Sequence, residues 1–120
     1  MRLWHQDLIA KLPRQQLLGQ HRECCALRGK GWGRPHATVN YVFGHSPYLL
    51  YLYHEKIMKE MESRGYQPAA DWHNPHYLGT SCPAYDYLEP LSIQHPLYPE
   101  HNQAYLEECL ANLAEKGIYL

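Results

Sequence analysis

In residues 1–36, Glu23 and Asp7 are the two carboxylates among seven cationic side chains (Arg2, Lys11, Arg14, Arg22, Arg28, Lys30 and Arg34), a net +5. The rest of the chain carries −6, so the overall charge of −1 conceals a polarised molecule. A face rich in Lys and Arg selects a polyphosphate partner, because each cation close to a phosphate releases condensed counterions. A carboxylate on that face repels DNA. Glu23 is therefore either a structural ion-pair partner for Arg22 or a neighbouring arginine, or a group that moves protons in a reaction.

Other residues here could also do chemistry. Arg28, Lys30 and Arg34 flank Gly29, Gly31 and Gly33 around Trp32, which suits either a solvated loop or a loop that tracks phosphates with a stacking Trp. The glycines make no P-loop, since no Lys-Ser/Thr pair follows them. His21 falls on an apolar stripe and suits a satisfied core histidine or a DNA contact. His36 and His45 suit a phosphate or sugar contact, or a turn hydrogen bond. Asp71, His73, His76 and Cys82 are all competent metal ligands, but their spacing matches no closed Cys/His pattern, and no metal is expected. The four cysteines give no disulfide framework: Cys24 and Cys25 are adjacent, and free thiols in a reducing cytoplasm are the simpler reading.

Three helices must position these groups. The first spans residues 13–28, from Pro13 to a stop at Gly29, with Leu17, Cys24 and Cys25 on one face. Glu23 points elsewhere, one turn beyond Gly19, whose missing side chain predicts open space above the carboxylate. The second starts with Ser46 as N-cap and Pro47 at its first position, and stops at Gly65. Its inward stripe is Leu50, Ile57, Met58 and Met61, and Glu55–Lys59 and Glu60–Arg64 are favourable i,i+4 pairs. The third spans about residues 99–116, with Tyr105, Leu106, Cys109, Leu110 and Leu113 inward and Gly117 as its stop. Residues 38–43 are the only strand-like run. The long connection at residues 66–99 is rich in Pro and Tyr, and its aromatic side chains predict packing over the helices. The expected architecture is a compact, all-α single domain over residues 1–120, with three main helices and long ordered loops. No apolar run is long enough to span a membrane and no signal-peptide pattern is present, so a cytoplasmic protein is expected.

The pattern Leu17-Leu18-x-x-His21-Arg22-Glu23, following a short N-terminal arm, resembles the pyrimidine-dimer DNA glycosylase/AP-lyase (endonuclease V) family. The likeness runs on to His36-Ala37-Thr38 and to Ser63-Arg64-Gly65-Tyr66. The resemblance implies an endonuclease V-like helical fold. It also implies an enzyme of DNA repair, acting on pyrimidine-dimer or abasic duplex DNA through an imine formed by the N-terminal α-amine. With Arg2 following it, Met1 is expected to be retained and to supply that amine. The resemblance further implies Glu23 as the catalytic carboxylate and Arg22 as a phosphate clamp, and no cofactor. On this basis the DNA-binding set is expected to be Arg2, His21, Arg22, Arg28, Lys30, Arg34 and His36. Residues 1–8 are expected to form an extended arm between the first two helices. The alternative is a non-catalytic helical nucleic-acid-binding or interaction protein on the same scaffold.

Overall fold

The computed structural model describes residues 3–29, 42, 44–80, 82–90 and 97–120. Its main elements are α1 (Arg14–Arg28), α2 (Pro47–Ser63) and α3 (Gln103–Glu115), with 3₁₀ segments at Gln6–Lys11 and Ala70–His73. No strand occurs among the described residues. The strand-like run at residues 38–43 lies outside them apart from Val42, which is buried.

The punctuation of α2 follows its sequence. Ser46 Oγ accepts the Tyr48 N–H at 3.2 Å, satisfying one of the amides that a helix start leaves open. Gly65 takes a φ of 90°, where a side chain would be strained. α3 begins four residues later than expected. Residues 98–101 make a turn, closed by His101 N–H to the Tyr98 carbonyl, and Asn102 caps the helix by accepting Tyr105 N–H at 2.9 Å. The end of α3 is closed by Ile118 N–H bonding back to Leu113 O, with Gly117 at a φ of 80°.

α1 packs along α2, and one core joins them to α3 through Leu17, Cys24, Leu27, Leu50, Ile57 and Leu113. Each such side chain contributes roughly 1.5–3 kcal/mol of burial. Tyr105, Leu106 and Leu110 are only partly buried against this core. Glu60 pairs with Arg64 at 2.7 Å as expected, whereas Glu55 turns to His73 rather than to Lys59. Arg64 also donates to the carbonyls of Leu12 and Ala10, tying the end of α2 to the first 3₁₀ segment.

From Leu3 onward the arm lies against the first two helices as expected but differs in form, and Met1 and Arg2 lie outside the described residues. Leu3, Trp4 and His5 belong to no regular element, and then His5 Nδ1 accepts the Asp7 N–H and starts the 3₁₀ turn. Trp4 N–H donates to Gln20 on α1, the Tyr53 hydroxyl on α2 donates to Trp4 O, and the Tyr105 hydroxyl on α3 donates to Leu3 O. Three helices thus grip a segment whose own backbone groups have no regular element to join.

Candidate active site

Glu23 sits on α1, half-buried, where the arm crosses the helix. One residue organises the crossing. The side-chain oxygen of Gln20 accepts Trp4 N–H at 2.7 Å and the Tyr53 hydroxyl at 3.0 Å, while its amide nitrogen donates to Glu23 Oε2 at 2.9 Å. Gln20 is almost wholly buried, so this orientation is fixed by partners on all sides. The Glu23 carboxylate is thereby linked through Gln20 to the arm at Trp4.

Burial raises the Glu23 pKa above its usual value, and neighbouring positive charge, including Lys116 and Arg22, pulls it back, as does the Gln20 hydrogen bond. No ion pair joins Glu23 to Arg22, or to another arginine, among the described residues. Arg22 is exposed, and its guanidinium lies beside Gly19, where an added Cβ would meet Nη2 at 3.7 Å. The space expected above Glu23 at Gly19 is therefore Arg22's. Arg14 and Arg22 border an open cleft with Gln15 and Leu18, so two cations face solvent along one side of α1.

Arg28 and His21 have other employment. Arg28, expected on the DNA-binding face, is buried; it donates to the carbonyls of Trp72, Asn74 and Tyr77 at 2.8–3.0 Å, and lies over the rings of Trp72 and Tyr51. A phosphate would have to compete with all of these. Its remaining contact is His54 Nδ1 at 3.0 Å, and His54 Nε2 lies 2.8 Å from His21 Nδ1. A guanidinium only donates, so His54 carries its proton on Nε2 and gives it to His21 Nδ1. His21 Nε2–H then faces Cys25 Sγ at 3.7 Å. His21 is thus a half-buried, bonded histidine, as its place on the stripe suggested. Burial, with Arg28 close by, lowers the pKa of both rings.

His21, Cys25 and His54 place three ligand-type atoms within 4.8 Å of one another. A divalent ion would need the lone pair of His54 Nε2, and that atom stays protonated while Arg28 donates to Nδ1. Burial also lifts the Cys25 thiol to about 11, so it keeps its proton at neutral pH within this network. A metal would have to displace the protons of Cys25 and His54 and the Arg28 contact. Among the described residues, Asp71, His73, His76 and Cys82 form no such group. His73 is taken by Glu55 and Glu62, and the Cys82 thiol donates to Gly29 O. His45 lies 3.9 Å from Glu100. Met1, Arg2, Lys30, Trp32, Arg34 and His36 lie outside the described residues.

A separate cavity of about 310 Å³ opens between Leu27, Val42, Leu50 and Leu78, with Arg28, His45 and Tyr85 among its lining. None of the Glu23 group borders it.

Sequence reasoning passed over Gln20 and Lys116. Gln20 falls between Leu17 and Cys24 on the apolar face of α1, and a polar residue at such a position is itself a signal in the sequence. Lys116 only marked the end of the third helix, and the packing of α3 brings it over the Trp4 ring.

The fold and site define a small helical protein that presents a half-buried carboxylate beside its N-terminal arm, with cations around it. The family model for pyrimidine dimer DNA glycosylase matches residues 1–74, well over half of the chain, and the protein belongs to that family and to DNA repair. Neither the curated proteins nor the solved structures supply a match.

Proposed function

We propose that the protein is a DNA glycosylase and abasic-site lyase that acts on damaged duplex DNA, with the α-amine of Met1 as nucleophile and Glu23 as acid–base. The observation that supports this is the path from Trp4 N–H through Gln20 to Glu23. Three residues span at most about 11 Å, so the amine at the head of the arm is tethered within reach of that carboxylate. An α-amine titrates near 7.7–8.0, far below a lysine, and a useful fraction is unprotonated at neutral pH.

In the reaction, the amine nitrogen bonds to C1′ as the glycosidic bond breaks and the base leaves with its electron pair and a proton. The sugar ring opens to an imine, its oxygen taking a proton. Glu23 then removes a C2′ proton, the C3′–O bond breaks and the phosphate leaves. A carboxylate whose pKa is raised by burial is a better base than a solvated one and stabilises the cationic imine at short range. Arg22 and Arg14 face solvent where a DNA backbone could lie, and this duplex contact involves no cofactor. Among the described residues Glu23 has no arginine partner, which favours the catalytic reading over the non-catalytic one.

Borohydride trapping on an abasic-site duplex, followed by mass mapping of the adduct, tests this reading. The expected result is a covalent adduct on the α-amine of Met1, lost on N-terminal acetylation. A protein that yields no adduct, or that still cleaves after acetylation, overturns it.

A further inference from the structure

To receive the Trp4 N–H, a side chain at position 20 needs only an oxygen. The amide of Gln20 adds a nitrogen, and that nitrogen donates to Glu23 Oε2 at 2.9 Å, one turn further along α1. Which end of the amide meets which partner is decided at the arm. Trp4 N–H donates to Gln20 Oε1 at 2.7 Å. The Tyr53 hydroxyl shares its single proton between Trp4 O at 2.6 Å and the same Gln20 oxygen at 3.0 Å. Turned over, the amide would set N–H against N–H at Trp4 and oxygen against carboxylate at Glu23, and Gln20 is buried from solvent. Resting on the proposed lyase reading, we infer that Gln20 is a positioning residue of the Glu23 site: the seated arm fixes the polarity of its amide, and that polarity aims an N–H at the acid–base carboxylate.

Glu23 is half-buried and turns about three side-chain bonds, so without a partner its carboxylate would sample several rotamers. No other side-chain hydrogen bond to that carboxylate occurs among the described residues, so Oε2 is tied and Oε1 is left for a reacting proton. A displacement of about 1 Å in a reacting group costs on the order of 10²-fold in rate. The same bond favours the ionised carboxylate against the burial that opposes it. Seating of the arm and placement of the base are thus coupled through one amide. The other groups acting on Glu23 among the described residues are Arg22 on α1 and Lys116 at the end of α3. α2 adds Tyr53, reached through Gln20, which burial keeps neutral near pH 7. All three stay in place when Gln20 alone is replaced.

The discriminating variant is Gln20→Glu. It keeps an oxygen for Trp4 N–H and Tyr53, but turns a second carboxyl oxygen towards Glu23 Oε2. Two carboxyl groups at that range share a proton, so the upper midpoint of the pair should lie at least about one pH unit above the wild-type Glu23 midpoint, a roughly tenfold fall in the fully ionised form below it. Carboxyl ¹³C titration reads the shift, with Glu23 assigned by its loss in Glu23→Gln. The acid limb of kcat for abasic-site cleavage should move with it while KM stays near the wild-type value. Gln20→Met, similar in volume but without hydrogen bonds, should lower kcat by about tenfold or more. Circular dichroism checks that each variant is folded. In the wild type, the Gln20 side-chain amide resonance should shift with Glu23 ionisation, a readout that needs neither variant. A folded Gln20→Glu protein with the wild-type Glu23 midpoint and acid limb, a folded Gln20→Met protein with the wild-type kcat, or a Gln20 amide resonance flat through the Glu23 titration overturns the inference. A shifted midpoint in a protein that never cleaves abasic DNA supports the Gln20–Glu23 contact and sinks the lyase reading on which its catalytic part rests.

Discussion

At the scale of single residues, the Glu23 environment sets two opposed expectations that one substitution separates. Its carboxylate is half-buried, raised in pKa by that burial and held by Gln20. A group whose folded pKa is raised destabilises the fold when ionised: above that pKa the folded state carries a charge that the unfolded state solvates better. Glu23→Gln should therefore leave stability at pH 8 unchanged or slightly higher, read by urea unfolding. It should lower abasic-site cleavage by at least about 10²-fold, the scale of a lost acid–base group. A variant that is destabilised with unaltered cleavage would return Glu23 to a structural part. Gln20 also shows how far residue types carry a site. Glu23 stands out because it opposes the charge around it, but a buried Gln bonded to an arm at one end and a carboxylate at the other depends on contacts from Trp4 and Tyr53. No spacing along one helix encodes those.

Elements were legible where the signal is local. Ser46, Pro47 and Gly65 fix α2 because capping and positive φ are decided by a few neighbouring residues. The start of α3 was misplaced because Pro99 suits either a first helical turn or the separate turn ahead of Asn102, and the Asn102 cap decides between them. Arg28 is the instructive failure. On a basic segment it looked like a phosphate ligand, yet it clamps the 72–77 segment to α1 through three carbonyls. Those acceptors lie more than forty residues away and are backbone groups, which leave no mark in sequence. Arg28→Lys supplies a single ammonium where a planar fork now satisfies separate acceptors, and should cost about 2–4 kcal/mol in denaturant unfolding. In the native variant the slope of log K against log salt for duplex DNA should stay at the wild-type value, whereas Arg22→Ala should flatten it by roughly 0.9. A flattened slope in Arg28→Lys would mean that Arg28 leaves its carbonyls for a phosphate.

Across the whole molecule, four histidines stand in two opposed states, and their balance shapes its response to acid. His54, His21 and His101 are all lowered in pKa by burial first, His101 to about 4. For such groups the unfolded chain binds protons that the folded protein refuses, so their stabilising neutral form is fully favoured above about 6.5 and is lost as pH falls towards the folded value. His73 runs the other way. Its hydrogen bond to Glu55, with Glu62 on the other ring nitrogen, raises its pKa, so its contribution is complete below about 6.5 and fades as pH rises through the folded value. The magnitudes decide the sum. His73 is a partly exposed pair worth about 0.2–1 kcal/mol, whereas the His101 shift from 6.5 to about 4 converts to an upper bound on the order of 3 kcal/mol. Unfolding free energy should therefore fall between about pH 6.5 and 4.5, measured by urea titration at each pH. His101→Gln should flatten that fall, because an amide does not titrate, even if it lowers stability at pH 7 by disturbing the ring stack of His5, His101 and Tyr105. His73→Gln should steepen the loss, since it removes a group whose support grows on the acid side. A stability profile flat from about pH 7 to 4.5, or unaltered in His101→Gln, would show that the buried rings are protonated in place rather than kept neutral by the core.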